Sequence, residues 1–314
     1  MPSLESFNEP KNGACLGSCK KQDREEYTED SICQVTASEF DNYPVRCVGE
    51  WAKEKIHFLT RYFDIFAKGM AYKWEGNINY IEICSGPGIC IDRSTRKELL
   101  GTALSIAQLP SFDKLFKAVF IDINQDIVDN LNSRFEMYGK SGKAIACFGD
   151  YTQPDQLLSM IRGHISAIGL NLVFFDPVDC SVPFNTIVEI KKRLKNCDLI
   201  INVFYGLDPR RWLGMAFENP EGALFKKYAR FLGADSFLFD PEVRTLHQAG
   251  NHDEVHRRFI DFYKAQLRSI GFEYFAHEPI RNYYEMLFAS SNERGIDFWK
   301  KITKVEEDGQ KRLF

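Results

Sequence analysis

At 314 residues, with 44% hydrophobic content and a formal net charge of −4, the chain is long enough to bury a sizeable core and carries no overall positive field to attract nucleic acid. No apolar run approaches the ~20 residues needed to cross a bilayer, and residues 1–10 lack the basic start and apolar middle of a signal peptide, so a soluble, cytoplasmic protein without a membrane partner is expected. Nine cysteines, an odd number scattered through the chain, fit reduced thiols rather than a disulfide framework.

Residues 1–49 mix Pro, Gly, Asn and Ser with many charges and no sustained period, which predicts an irregular acidic extension; residues 1–50 hold ten acids against five bases. From Trp51, apolar residues at Ala52, Ile56, Leu59, Phe63, Phe66 and Met70 recur every three or four positions and predict an amphipathic helix over 51–73. Strand and helix signals then alternate: strand 79–84, helix 94–108, strand 117–122, helix 125–138, strand 143–148, helix 153–165, strand 170–176, helix 184–195 and strand 197–204. Several of these strands are continuous apolar runs, as expected for a parallel sheet buried on both faces by helices.

The rhythm breaks over 205–250, where Gly and Pro recur and an insertion of short helices, a candidate substrate lid, is predicted. A long helix follows from Asn251 to about Ile270, then two strands, 272–279 and 283–289, separated by a turn short enough for an antiparallel hairpin, and a last helix over about 294–304. The expected organisation is an extension (1–49), a Rossmann-like cofactor-binding core (50–204), the insertion (205–250) and a C-terminal segment completing the core (251–314). The expected fold class is α/β, a doubly wound, mostly parallel Rossmann-like sheet of about seven strands with an antiparallel C-terminal hairpin; five strands alternating with helices and then such a hairpin resemble the methyltransferase type of Rossmann-like fold, which is the type this resemblance implies.

In such a sheet, ligands bind beyond the carboxyl ends of the strands. Glu82-Ile-Cys-Ser-Gly-Pro-Gly88 ends the first core strand in a glycine turn, where backbone can approach a ligand closely at Gly86 and Gly88. Acids end the next strands in succession: Asp122, Asp150 just beyond the third, and Asp176. An NAD site would require a third glycine where Ile89-Cys-Ile91 stands and an acid ~20 residues past the turn, whereas Asp122 lies 34 residues past Gly88. S-adenosylmethionine tolerates the looser pattern: its amino-acid moiety would lie near Gly86 and Gly88, its ribose at Asp122 and its adenine at Asp150, with Glu82 heading the site.

Asp176-Pro-Val-Asp179 falls where amino-methyltransferases place an Asp/Asn-Pro-Pro-aromatic loop, making Asp176 the candidate catalytic residue that positions an acceptor amine. Val178 and Asp179 depart from that pattern and remove the aromatic ring that would stack on a base. Cys15, Cys19, Cys33 and Cys47 would suffice for a four-thiolate zinc site, although their spacing does not favour one. His252-Asp-Glu-Val-His256 places two imidazoles one helical turn apart without the glutamate of H-E-x-x-H. The basic groups Lys191-Lys-Arg-Leu-Lys195, Arg210-Arg211 and Arg257-Arg258 keep a nucleic-acid contact open, but are not enough to favour it.

Across about residues 41–304 the chain resembles the three-Cys-motif partner proteins. The resemblance is carried by Tyr43-Pro-Val-Arg-Cys-Val-Gly-Glu-Trp51, Tyr80-Ile-Glu-Ile-Cys-Ser-Gly-Pro-Gly88, Phe120-Ile-Asp122, Phe174-Phe-Asp-Pro177, Asp198-Leu-Ile-Ile-Asn202, and Leu287-Phe-Ala-Ser290 before Gly295 and Trp299. It implies a methyltransferase-type Rossmann fold and a partner protein bearing the cysteine motif, of the radical-S-adenosylmethionine kind. The chain departs from the family's usual Asp-Leu-Phe-Ala-Gly-Pro-Gly, Gly-Ser-Pro and Asp-Pro-aromatic-Gly at 82–88, 101–103 and 176–179. The leading expectation is a methyltransferase of unassigned acceptor; the alternatives are a catalytically silent partner protein docking onto another polypeptide, and a nucleic-acid-modifying amino-methyltransferase or nucleic-acid binder.

Overall fold

The computed structural model describes residues 32–303 except 93, 94, 96, 167, 207 and 282, and over 32–36 the backbone alone. It divides into two units, one reaching to Phe148 and the other running from Gly149 to Thr303.

The first unit begins with β1 (Ile32–Ala37) and β2 (Pro44–Val48), antiparallel strands where the sequence predicts an irregular extension. Helix α1 (Trp51–Met70) buries Phe58, Leu59, Tyr62, Phe63, Phe66 and Met70, the stripe its periodicity implies. Strand β3 (Ile78–Ile83) is buried at every position, and Tyr80 meets Phe63 edge-to-face at 5.4 Å.

The predicted helix over 94–108 is largely replaced by β4 (Ile89–Asp92), β5 (Glu98–Leu100) and a shorter helix, α2 (Thr102–Ala107). The reason is tertiary. β4 pairs in parallel with β2 and antiparallel with β5, completing a small four-stranded sheet, β1-β2-β4-β5. Glu98 is held there by the Ser38 hydroxyl (2.8 Å) and the Glu39 N–H (2.7 Å), and buried Asp92 is ion-paired with Lys53 of α1 at 2.5 Å. These long-range partners outweigh local helical spacing, which is a weak prior over so short a segment.

Strand β6 (Lys117–Asp122) pairs in parallel with β3 and with β7 (Ala144–Phe148). Between them, α3 (Gln125–Met137) starts at Asn124, whose side chain accepts from the N–H groups of Asp126 and Ile127.

In the second unit, α4 (Pro154–Arg162) precedes β8 (Leu170–Phe175), and α5 (Phe184–Arg193) leads to β9 (Cys197–Val203), which runs parallel to β8. The insertion forms α6 (Pro209–Glu218), α7 (Ala223–Leu232), α8 (Ser236–Phe239) and α9 (Pro241–Gln248). Helix α10 (His252–Ser269) is capped by Asn251, and β10 (Tyr274–Ile280) and β11 (Tyr284–Ser290) form the expected antiparallel hairpin, with β11 also antiparallel to β9. Helix α11 (Glu293–Ile302) closes the unit. The seven strands β3 and β6–β11 make a doubly wound, mostly parallel sheet with an antiparallel C-terminal hairpin, the fold class read from the sequence.

Candidate functional site

The glycine turn of the first unit is held by its own strands. Cys84 and Ser85 both donate their N–H to the Ile121 carbonyl (2.9 and 3.0 Å), and Gly86 donates its N–H to the Asp122 carboxylate at 3.0 Å. Cys84, Gly86 and Gly88 all have positive φ, of 68°, 64° and 88°. For Cys84, a residue that rarely adopts this conformation, the backbone is locally strained. At Gly88 a Cβ would come within 2.8 Å of the Leu131 side chain and 3.0 Å of Leu104, so only glycine fits.

Chain continuity from turn to helix is broken by the β4–β5 excursion and restored through space. Gly101, which precedes α2, donates its N–H to the Gly88 carbonyl at 2.7 Å. A glycine turn followed by a helix is therefore present, with the helix arriving twelve residues late, after 89–100.

Glu82 lies wholly buried beneath that helix start, accepting from the Tyr80 hydroxyl at 2.8 Å and from the Thr102 hydroxyl. Its visible work is to fix α2 to β3. Asp122 is buried at the end of β6 and also accepts from the Asn124 N–H at 3.1 Å. Its carboxylate thus organises the glycine turn and the start of α3 from the strand end, where ligands of such sheets bind.

Four residues around this turn escape a reading based on acids and glycines. Ile123 and Phe148 remain 50% and 54% exposed although large and apolar. Asp122 and Phe148 are register partners across β6 and β7, so two apolar side chains flank the buried carboxylate. Arg46 of β2 brings its guanidinium to Gly86: a Cβ built on that glycine would lie 3.7 Å from Nη1. Arg134 of α3 is wholly buried, pairs with Asp41 through Nε (2.6 Å) and Nη2 (2.9 Å), and donates to the Pro87 carbonyl. A large apolar residue beside a strand-end acid, Ile123 just after Asp122 and Phe148 two positions before Asp150, is the signal that would have found both.

In the second unit, Asp150 caps the turn into α4, its carboxylate accepting from the Thr152 N–H at 2.7 Å. Asp176 follows β8 directly. Parallel register pairs Phe175 with Ile201, so one step further Asp176 meets Asn202, whose amide Nδ2 donates to its Oδ1.

The rest of the 176–181 loop is fastened by the insertion. Lys227 of α7 lies 2.8 Å from Asp179 and 2.7 Å from Asp208, and Asp208 also accepts from the Cys180 N–H (2.9 Å) and the Tyr228 hydroxyl (2.8 Å). Burial pulls the Lys227 pKa down, but hydrogen bonds and charge from Asp179 and Asp208 outweigh it and hold the pKa above its ordinary value. Asp179, which breaks the expected motif, thus serves as an anchor, and Val178 points outward at 63% exposure.

The other sequence candidates separate. His252 lies beside His247 (5.3 Å), while His256 stacks on Tyr205 (4.1 Å) and approaches Glu285 (3.6 Å). Cys15 and Cys19 lie outside the described residues, as does the Cys33 side chain; Cys47 is buried and in no disulfide. Among the described residues no cluster of three or more His, Cys, Asp or Glu could hold a metal ion. In the basic run, Lys191 bonds Ser291, Lys192 bonds Glu189 and Arg193 bonds Asp155, so most of that charge is used internally. A cleft of about 660 Å³ opens beside Arg162, Arg193 and Lys195, near the start of β8, away from Asp176.

No family model and no curated protein matches the chain. Among solved structures it is similar to an O-methyltransferase from Bacillus cereus in complex with S-adenosylhomocysteine (12% identity, TM-score 0.39, covering 73% of this chain and 80% of that one). It is also similar to the O-methyltransferase TomG from Streptomyces achromogenes in complex with S-adenosylmethionine (13%, 0.38, 73% and 79%). A third is M. capricolum TrmK in complex with S-adenosylhomocysteine (13%, 0.33, 72% and 67%).

Proposed function

We propose that the protein is an S-adenosylmethionine-dependent methyltransferase whose cofactor is held by the first unit. The observation that carries this reading is Asp122, a buried carboxylate at a strand end, flanked by the half-exposed Ile123 and Phe148. A nucleoside needs this combination: an anion for the ribose hydroxyls and apolar faces for the base. The Arg46 guanidinium beside Gly86 suits the carboxylate of the cofactor's amino-acid end. Once bound, the cofactor supplies an activated methyl group; Gly86, Gly88 and Asp122 position it, and Glu82 supports the turn from beneath. Asp150 adds a polar group two residues beyond Phe148, and Asp176 serves the acceptor.

NAD is disfavoured by the absence of a third glycine and by the β4–β5 excursion, which takes the chain away where a dinucleotide fingerprint would enter its helix. Calorimetry decides between them. Saturable binding of S-adenosylmethionine and S-adenosylhomocysteine, with none of NAD, is expected; no binding at millimolar S-adenosylhomocysteine to folded protein would overturn the reading.

One observation favours docking as a second reading. Trp212 and Met215, three residues apart on α6, are 45% and 55% exposed, an arrangement that suits a protein partner. Such a partner, of the three-Cys-motif kind, would co-purify with the wild type and be lost from Trp212→Glu.

A further inference from the structure

The cleft of about 660 Å³ lies where β8 and β9 begin, with Asn171 and Asn196 in its lining. Asp176 follows the other end of β8, so five residues of extended chain set it roughly 16 Å from Asn171. A cavity of this volume suits a small ligand, and that separation keeps such a ligand out of reach of an acceptor held at Asp176.

The charge of the cleft is of one sign. Arg162 at the end of α4, Arg193 at the end of α5 and Lys195 in the turn before β9 line it, and among the described residues no aspartate or glutamate does. A basic residue in a last helical turn offsets the helix dipole, which gives Arg162 and Arg193 a structural use. Arg193 is further neutralised by Asp155 and by Glu189 at 3.4 Å. Arg162 and Lys195 are exposed, and among the described residues neither side chain has an ion-pair or hydrogen-bond partner. Like charges gathered in a concavity focus their field into it and draw an anion there. The rest of the lining says what the anion is attached to. A bare phosphate would leave most of the volume empty and would not cover Ile168, which is 72% exposed at the cleft. A nucleotide brings a phosphate for the cations, a flat face for Ile168 and base edges for side-chain amides such as Asn196.

We propose that this cleft is a nucleotide-binding site, separate from the place of methyl transfer, where Arg162 and Lys195 hold the phosphate of a free nucleotide or of a single RNA strand and Ile168 packs against the base. The site does not depend on the methyltransferase reading, since its residues are none of those assigned to cofactor or acceptor.

The test titrates full-length protein into a fluorescein-labelled short oligouridylate, followed by anisotropy at about 50 and about 200 mM salt, with AMP measured alongside by calorimetry. Arg162→Ala and Lys195→Ala alter exposed side chains and should leave the thermal melt unchanged. Each should weaken RNA binding by roughly five- to tenfold and flatten the log–log salt slope by about 0.7, the share of one phosphate contact on a single strand. Lys300→Ala removes the same charge from an exposed lysine outside the cleft and should change neither quantity. AMP that binds with the same sensitivity to Arg162→Ala and Lys195→Ala identifies a free nucleotide as sufficient; RNA binding that millimolar AMP does not disturb identifies the strand as the ligand. Saturating S-adenosylhomocysteine should displace neither probe. Failure of both probes to bind at the lower salt, full binding in both alanine variants, an equal loss in Lys300→Ala, or displacement by S-adenosylhomocysteine, which would put the nucleotide in the cofactor site, overturns the proposal.

Discussion

Arg134 and Asp41, far apart in sequence, meet as a bidentate ion pair with both side chains wholly buried. The same guanidinium donates to the carbonyls of Tyr43, Pro44 and Pro87, so one side chain ties the turn before β2 to the glycine turn. Removing one partner of a buried pair strands the other charge. Arg134→Met should therefore destabilise the protein by about 3–5 kcal/mol, while Arg134→Met combined with Asp41→Leu should recover much of that loss. Urea unfolding of the two variants checks this, and equal destabilisation in both would show that the charge is not what matters.

Ile123 and Phe148 expose about half their surface, so trimming them creates no core cavity. Phe148→Ala should change stability by less than about 0.5 kcal/mol. Its affinity for S-adenosylhomocysteine should fall by roughly tenfold, the equivalent of about 1.4 kcal/mol of lost stacking. Paired thermal melts and calorimetry read both quantities. Unchanged affinity would move the base-binding surface elsewhere.

Gly88 combines a φ of 88° with Leu131 and Leu104 at 2.8 and 3.0 Å from where a Cβ would stand. Gly88→Ala adds backbone strain to overpacking, and together these should cost about 2–4 kcal/mol. Gly76 has a similar φ of 78° but open space around it; Gly76→Ala should cost only about 1 kcal/mol. Comparing the two by chemical denaturation separates packing from dihedral strain.

How much of this was legible depended on whether the deciding contacts were local. The β6 strand was read to its residue limits because Val119, Phe120 and Ile121 form an apolar run ended by Asp122. The terminal hairpin was visible because only a short turn separates its two strands. By contrast β4 and β5 owe their existence to pairing with β2 and to Glu98 reaching Ser38 and Glu39, which spacing along the chain cannot reveal. The site divides similarly. Strand-end acids announce themselves, but Asn202 becomes informative only when parallel register sets it opposite Asp176, and Lys227 only when the insertion folds back onto the 176–181 loop.

Asp198 offers a pH test independent of any ligand. Burial raises its pKa from 3.8 to about 6, against the lowering effects of the Ser290 hydroxyl bond (2.6 Å) and nearby Lys191. A carboxyl group raised in the folded state costs nothing below its unfolded pKa, where it is protonated in both states; its cost develops as pH rises through the interval from about 4 to 6 and is fully present above it. Asp198→Asn should therefore match the wild type near pH 3.5 to 4 and exceed it by about 1–3 kcal/mol at pH 7. Stability curves of both proteins across that range test the sign, and a gap that shrinks with rising pH would refute it.

Lys227 decides whether the insertion acts as a fixed wall or swings free. Its ammonium bridges Asp179 of the loop and Asp208, and α7 is itself seated by Phe225, Tyr228, Phe231 and Leu232, spaced at three and four residues, before Gly233 ends it at φ 77°. Phe231 stacks on Tyr263 of α10 at 4.7 Å, so the helix carrying the lysine is bound into the second unit's core. Replacing Lys227 with Met keeps the aliphatic stem but leaves two carboxylates facing one another without a cation, at an expected cost of about 2–4 kcal/mol. The loss should be local as well as global: amide hydrogen exchange in 176–181 should quicken in Lys227→Met, and Cys180, whose N–H bonds Asp208 at 2.9 Å, should show the largest change. If exchange there is unaltered, the loop is held by packing alone, and Asp179 has no more consequence than any other surface acid.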